Sequence, residues 1–149
     1  NPVLLPDGDL FAIGKTDIGY LLTQSTLREV AAIKGICDSD PDGGPAYDAA
    51  TNRIFVPCKG GGIQPVDLTT RTVQKKLSGA NGAPILIGQE LWAVDYPGGT
   101  LSEFNATTGA RLQSLSIGST VSNFTSPSSA LGLVLVGTNN GVVAFVKKH

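Results

Sequence analysis

Apolar residues fall in short runs separated by turns rich in glycine and proline, and the runs come in sets. The most apolar run of each set covers residues 10–13, 54–56, 91–94 and 133–136. A shorter run precedes each, at residues 3–5, 46–48, 85–87 and 128–130. A tight turn follows, at residues 16–19, 59–62, 96–99 and 139–141. Asn140-Gly141 is the strongest of these hairpin signals, because both residues tolerate a positive φ. A third run covers residues 20–22, 63–66, 100–104 and 142–146. A fourth, more polar run at residues 28–33, 73–77 and 111–115 closes the first three sets, and the last set lacks one. The pattern predicts four short strands per set.

Two independent markers give the sets a period. A proline after a small or polar residue recurs as Asn1-Pro2, Gly44-Pro45, Ala83-Pro84 and Ser126-Pro127, at spacings of 43, 39 and 43. A glycine before an apolar run recurs as Gly19, Gly61, Gly99 and Gly141, at spacings of 42, 38 and 42. Four strands in a repeat of ~40–45 residues describe a propeller blade. A plain sandwich has no reason to repeat both markers. The expected fold is all-β: a β-propeller segment of four-stranded antiparallel blades, three complete and a truncated fourth. The blades fall at about residues 1–44, 45–83 and 84–126, with a partial one at 127–149. Charge on the fourth runs suits outer edges that must resist pairing with other chains. A propeller closes with about 4–8 blades. The chain is therefore expected to be the C-terminal part of a larger propeller, or to complete a ring by association. The start at Asn1 and the lack of methionine fit either.

The repeat resembles the quinoprotein-like (PQQ-type) β-propeller repeat. Residues 99–109, reading Gly-Thr-Leu-Ser-Glu-Phe-Asn-Ala-Thr-Thr-Gly, are similar to that family's strand and D-x-x-T-G turn, with Asn105 in the Asp place. Asp67-Leu68-Thr69-Thr70 is similar, with Arg71 replacing the glycine. Where that family carries a docking tryptophan, this chain has Gln113 and Lys75. The resemblance is nearest to divergent secreted members, and it implies a binding or scaffold protein rather than a dehydrogenase.

Composition narrows the chemistry. His149 is the single histidine, so a Ser-His-Asp triad, a Cys-His dyad and an imidazole zinc site are not expected. Charged residues make up 15%, the net charge is −1, and no basic run offers a nucleic-acid surface. No apolar stretch approaches the ~18 residues of a membrane span. Strand parity places the end of strand four, the start of the next strand one and the two-to-three hairpin on one face. That face collects Cys37, the loop 38–44, Cys58 with residues 59–62, Tyr96-Pro97 and Asn123. Cys37 and Cys58 form either a disulfide, which implies an oxidising compartment, or two buried thiols; the disulfide is the expectation. Asp38-Ser39-Asp40-Pro41-Asp42-Gly43 matches D-x-D-x-D-G. Asp38, Asp40, Asp42 and Asp48 are thus candidate calcium ligands, although Ala49 stands where an EF-type loop has its bidentate Glu. A solvated acidic linker is the favoured reading of that loop.

Other motifs read more plainly. Asn105-Ala106-Thr107 and Asn123-Phe124-Thr125 fit the glycosylation sequon. Trp92 is expected in the core, and residues 59–62 form a hairpin turn rather than a phosphate loop. No cofactor is required by the sequence. The expected function is a non-catalytic binding or scaffold module, secreted or periplasmic, that meets a protein partner or further blades. One alternative is a fragment of a propeller enzyme, a quinone-dependent dehydrogenase or lyase with its main residues in other blades. Another is a half-propeller that pairs with its own copy into a homodimer.

Overall fold

The computed structural model describes residues 2–96 and 98–147; Asn1, Pro97, Lys148 and His149 lie outside the described residues. The chain forms four antiparallel sheets in sequence order. The first holds β1 (Val3–Leu4), β2 (Asp9–Ile13), β3 (Gly19–Thr23) and β4 (Glu29–Ile33). The second holds β5 (Ala46–Asp48), β6 (Arg53–Cys58), β7 (Gly62–Asp67) and β8 (Thr72–Val73). The third holds β9 (Ile85–Ile87), β10 (Glu90–Asp95), β11 (Thr100–Asn105) and β12 (Arg111–Ser116). The fourth has three strands, β13 (Ser128–Ala130), β14 (Leu133–Thr138) and β15 (Gly141–Val146). No helix among the described residues is long and apolar enough to cross a membrane.

The core lies between the sheets. Phe11, Leu21 and Ile33 of the first sheet meet Ile54, Val56 and Val66 of the second. Phe55 and Ile63 meet Leu91, Ala93 and Phe104 across the next gap. Trp92, Val94 and Leu101 meet Val134 and Val136 across the last. Strands in the middle of such a stack need apolar side chains on both faces, which explains why β6 and β10 are continuous apolar runs rather than alternating ones.

Turn chemistry sets the hairpins between third and fourth strands. The Oδ1 of Asp67 accepts the backbone N–H groups of Thr69 and Thr70, each at 2.9 Å. Asn105 does the same for Thr107 and Thr108, at 3.0 and 2.8 Å. The fifth residue of the turn is left-handed: Gly109 has φ 72° and Arg71, in the glycine place, φ 58°. The first sheet uses the same turn at Thr23-Gln24-Ser25-Thr26-Leu27, where Leu27 has φ 53° and its N–H reaches the Thr23 carbonyl at 2.8 Å. The backbone hydrogen bond from Thr70 is the main reason the Asp67 carboxyl is held below the usual aspartate range.

The fourth strand of the second sheet is shorter than the sequence pattern implies. Residues 73–77 read as a strand, yet β8 ends at Val73, and the ladder resumes only at an Ile63–Leu77 bridge. Pro65 is the cause. Its carbonyl accepts the Gln74 N–H at 2.9 Å, but it has no N–H to return. The side-chain amide of Gln64 donates to the Gln74 carbonyl instead.

Candidate functional site: the loop face

Each connection from a fourth strand to the next first strand meets the β2–β3 type hairpin of the neighbouring sheet on one face. Between the first two sheets the joint is covalent. Cys37 and Cys58 form a disulfide with Cα atoms 5.5 Å apart. Around it, Lys59 N–H donates to the Asp40 carbonyl at 2.9 Å, Asp42 N–H to Pro57 at 2.8 Å, and the Ser39 hydroxyl to the Lys59 carbonyl. Closing a loop of this length contributes about 3 kcal/mol in the chain-entropy model. Between the second and third sheets the joint is hydrogen-bonded. The Asn81 and Gly82 N–H groups donate to the Val94 carbonyl at 3.0 and 2.9 Å. The Asn81 side chain clamps Tyr96, donating to its carbonyl and accepting its N–H, both at 2.9 Å. Between the third and fourth, Asn139 bonds Ser122 and Thr120 through side chains at 2.9 and 3.0 Å.

The connections converge on a cleft of about 640 Å³. Gly43, Gly44 and Pro45 form one wall, Ala83 and Pro84 another, and Phe124 with Ser126 a third; Ile13 and Lys15 close the side. Three of the four proline markers of the repeat thus sit at or beside the cleft, with Pro127 following Ser126. The walls touch closely. Gly43 has φ 117°, and a Cβ on it would stand 2.9 Å from the Cβ of Ala83. Ile117 and Val121 anchor the third wall in the core, which leaves Phe124 at its tip, 67% exposed and in the left-handed region at φ 65°. Among the described lining residues Lys15 is the charged one, and it pairs with Asp40 at 3.4 Å, where both side chains are well exposed. Such a pair is worth little in water.

The candidate calcium ligands stand in different surroundings. Asp38 pairs with Lys76 at 3.0 Å and Asp40 with Lys15. Asp48 lies at the far end of β5, where its carboxylate accepts the Ala50 N–H at 3.0 Å and the Thr51 hydroxyl at 2.6 Å. Asp42 is 5% exposed, and one of its carboxylate oxygens has no partner. Among the described residues no three His, Cys, Asp or Glu side chains are grouped to hold a metal ion.

The remaining motifs find structural places. Residues 59–62 are the β6–β7 hairpin turn, and Trp92 is fully buried. Gln113, where the resemblance would put a tryptophan, donates to the buried carboxylate of Glu103. Asn105 is occupied in its turn, whereas Asn123 is exposed beside Phe124. Phe124 itself was not legible as a lining residue, because one aromatic in a polar loop carries no spacing signal.

No protein-family model matches the chain, and no curated protein matches it in sequence. Solved structures do match it in fold. BamB from Moraxella catarrhalis, a PQQ-like β-propeller, superposes with a TM-score of 0.74 at 19% identity, covering 98% of this chain and 46% of that one. Sqt1 from Saccharomyces cerevisiae gives 0.80 at 12% identity, with 99% and 45% covered. The computationally designed Ika4 protein gives 0.74 at 14% identity, with 95% and 87% covered. The chain thus spans just under half the length of BamB and of Sqt1. At these identities the likeness is one of fold, and the fold is a β-propeller segment.

Proposed function

We propose that this chain is a non-catalytic β-propeller binding or scaffold module, and that its loop face receives an extended segment of a protein partner. The observation that carries the reading is the cleft at the converging connections, with Phe124 exposed at its rim. A largely preformed cleft lined by proline, glycine and an aromatic costs little ordering when it is filled. The disulfide and the Asn81 clamp hold its walls in place. The same disulfide supports an extracellular or periplasmic home. The neighbours in fold support the propeller as the scaffold; their own partners are not carried over.

Selection of displayed random peptides on the intact, oxidised chain tests this reading. Peptides should be recovered, and they should bind Phe124→Ala and Ser126→Trp variants at least tenfold more weakly, while circular dichroism and the disulfide stay unchanged. Recovery of no peptide, or equal binding by parent and both variants, would overturn it. Substrate turnover by the isolated chain would favour the alternative, a piece of a propeller enzyme.

A further inference from the structure

Each core between sheets is made of one front face and one back face. On the front, Phe11, Phe55 and Trp92 hold the same register. They stand opposite Val3, Ala46 and Ile85 of the first strands and Leu21, Pro65 and Glu103 of the third. All three are fully buried by the next sheet. In the fourth sheet this place belongs to Leu135, opposite Ser128 and Ala144, and it is only half-buried. On the back, Ile54, Leu91 and Val134 hold one register, and Val56, Ala93 and Val136 the position two residues on; all six are fully buried. The first sheet places Leu10 and Ala12 there, both half-buried.

The stack of four described sheets therefore presents two unlike apolar outer faces. The front of the fourth sheet shows Leu133, Leu135, Val142 (71% exposed) and Val146 (72%). The back of the first shows Leu4 (57% exposed), Leu10, Ala12, Tyr20 and Leu22. They are the two halves of the interface that the interior makes three times.

We infer that a second copy of this chain covers both faces, head to tail. The front of the fourth sheet of one copy seats on the back of the first sheet of the other, and the reverse contact follows by symmetry. The arc decides that the contact closes. The chain spans 46% and 45% of two larger chains of the same fold, so it turns through nearly half a ring. A half-turn repeats the contact once and closes a ring of eight sheets, whereas a rotation that does not divide a full turn would give filaments. The match to 87% of the designed Ika4 chain shows that a stack of about this size exists as one polypeptide. The inference is independent of what the loop face binds.

Native mass spectrometry of the oxidised chain tests it. The parent should appear at twice the 15.3 kDa of one chain. Leu135→Lys and Ala12→Lys change half-buried residues on the open faces and should each run as a folded monomer. An equal mixture of the two should recover the dimer, because the intact back face of one variant meets the intact front face of the other. A monomeric parent, an open-ended series of masses, or a mixture that stays monomeric would overturn the inference. So would a variant that dimerises alone as tightly as the parent, since the substituted face would then lie outside the contact.

Discussion

The two middle sheets and the two end sheets are cut from one repeat but stand in different surroundings. β6 buries five of its six residues and β10 four of six. β14, in the same place in its sheet, buries two of six, and β2 one of five. Yet the sequences do not differ accordingly. A strand with one face in water ordinarily alternates apolar with polar residues, and neither residues 10–13 nor residues 133–136 do so. The end strands are written for burial on both sides, and the single chain covers one. What separates middle from end is thus the neighbour, not the strand.

Truncation of equivalent side chains breaks or sharpens this contrast most strongly. Phe55→Ala and Trp92→Ala each remove a fully buried ring, and each should lower stability by about 3–5 kcal/mol. Leu135→Ala, at the same register, should cost clearly less in the dilute single chain, because Leu135 is only half-buried there. Urea midpoints at low protein concentration measure both, and equal losses would refute the contrast.

The joints come next. Removing the disulfide with Cys37→Ser and Cys58→Ser together should cost about 3 kcal/mol. Asn81→Ala, which leaves the Tyr96 backbone groups without their partner, should cost about 1–2 kcal/mol. If the two effects come out reversed in urea unfolding, the joints have been ranked wrongly.

Smaller effects concern the turns. Arg71→Gly should gain up to about 1 kcal/mol, because glycine enters the left-handed region without penalty. Thermal unfolding of Arg71→Gly beside Gly109→Ala, which should lose stability, reads the two directions. Asp67 adds a pH dependence. Its native carboxyl titrates below the ordinary aspartate value, so its contribution is present above pH ~4 and is lost as pH falls through the native value. Asp67→Asn keeps the acceptor, as Asn105 does, and should flatten that acid loss. Urea midpoints measured from neutral pH down to about pH 3 would show it.

Much of the fold was legible because its markers are local. Prolines and glycines at near-constant spacing fix where each set of strands begins and turns, and Asp67 and Asn105 announce their turns by residue type. Parity alone brought Cys37 to the edge that holds Cys58. Other features depend on register and were hidden. The hairpins between second and third strands differ in length, so the apolar runs match Leu133 with Leu91, whereas strand pairing makes Val134 its equivalent. That shift of one residue decides which side chain faces which sheet. The turn at Thr23–Leu27 carries no sequence signal because Thr23 and Leu27 replace both diagnostic residues. The break in β8 follows from Pro65 only once its N–H is known to point toward the outer strand. The acidic run matches a metal loop by spacing and is favoured as a solvated linker, but spacing does not say that Lys15 and Lys76 reach two of its carboxylates.

The measurement that tests the central claim most directly is amide hydrogen exchange of the intact, oxidised chain across a dilution series. At concentrations where two copies pair, β2 and β14 should exchange as slowly as β6 and β10. On dilution the end strands should become faster while the middle strands keep their protection. Fast exchange of β2 and β14 at every concentration, or a loss of protection in β6 and β10 together with them, would contradict the claim that the end faces await a neighbour and the middle faces already have one.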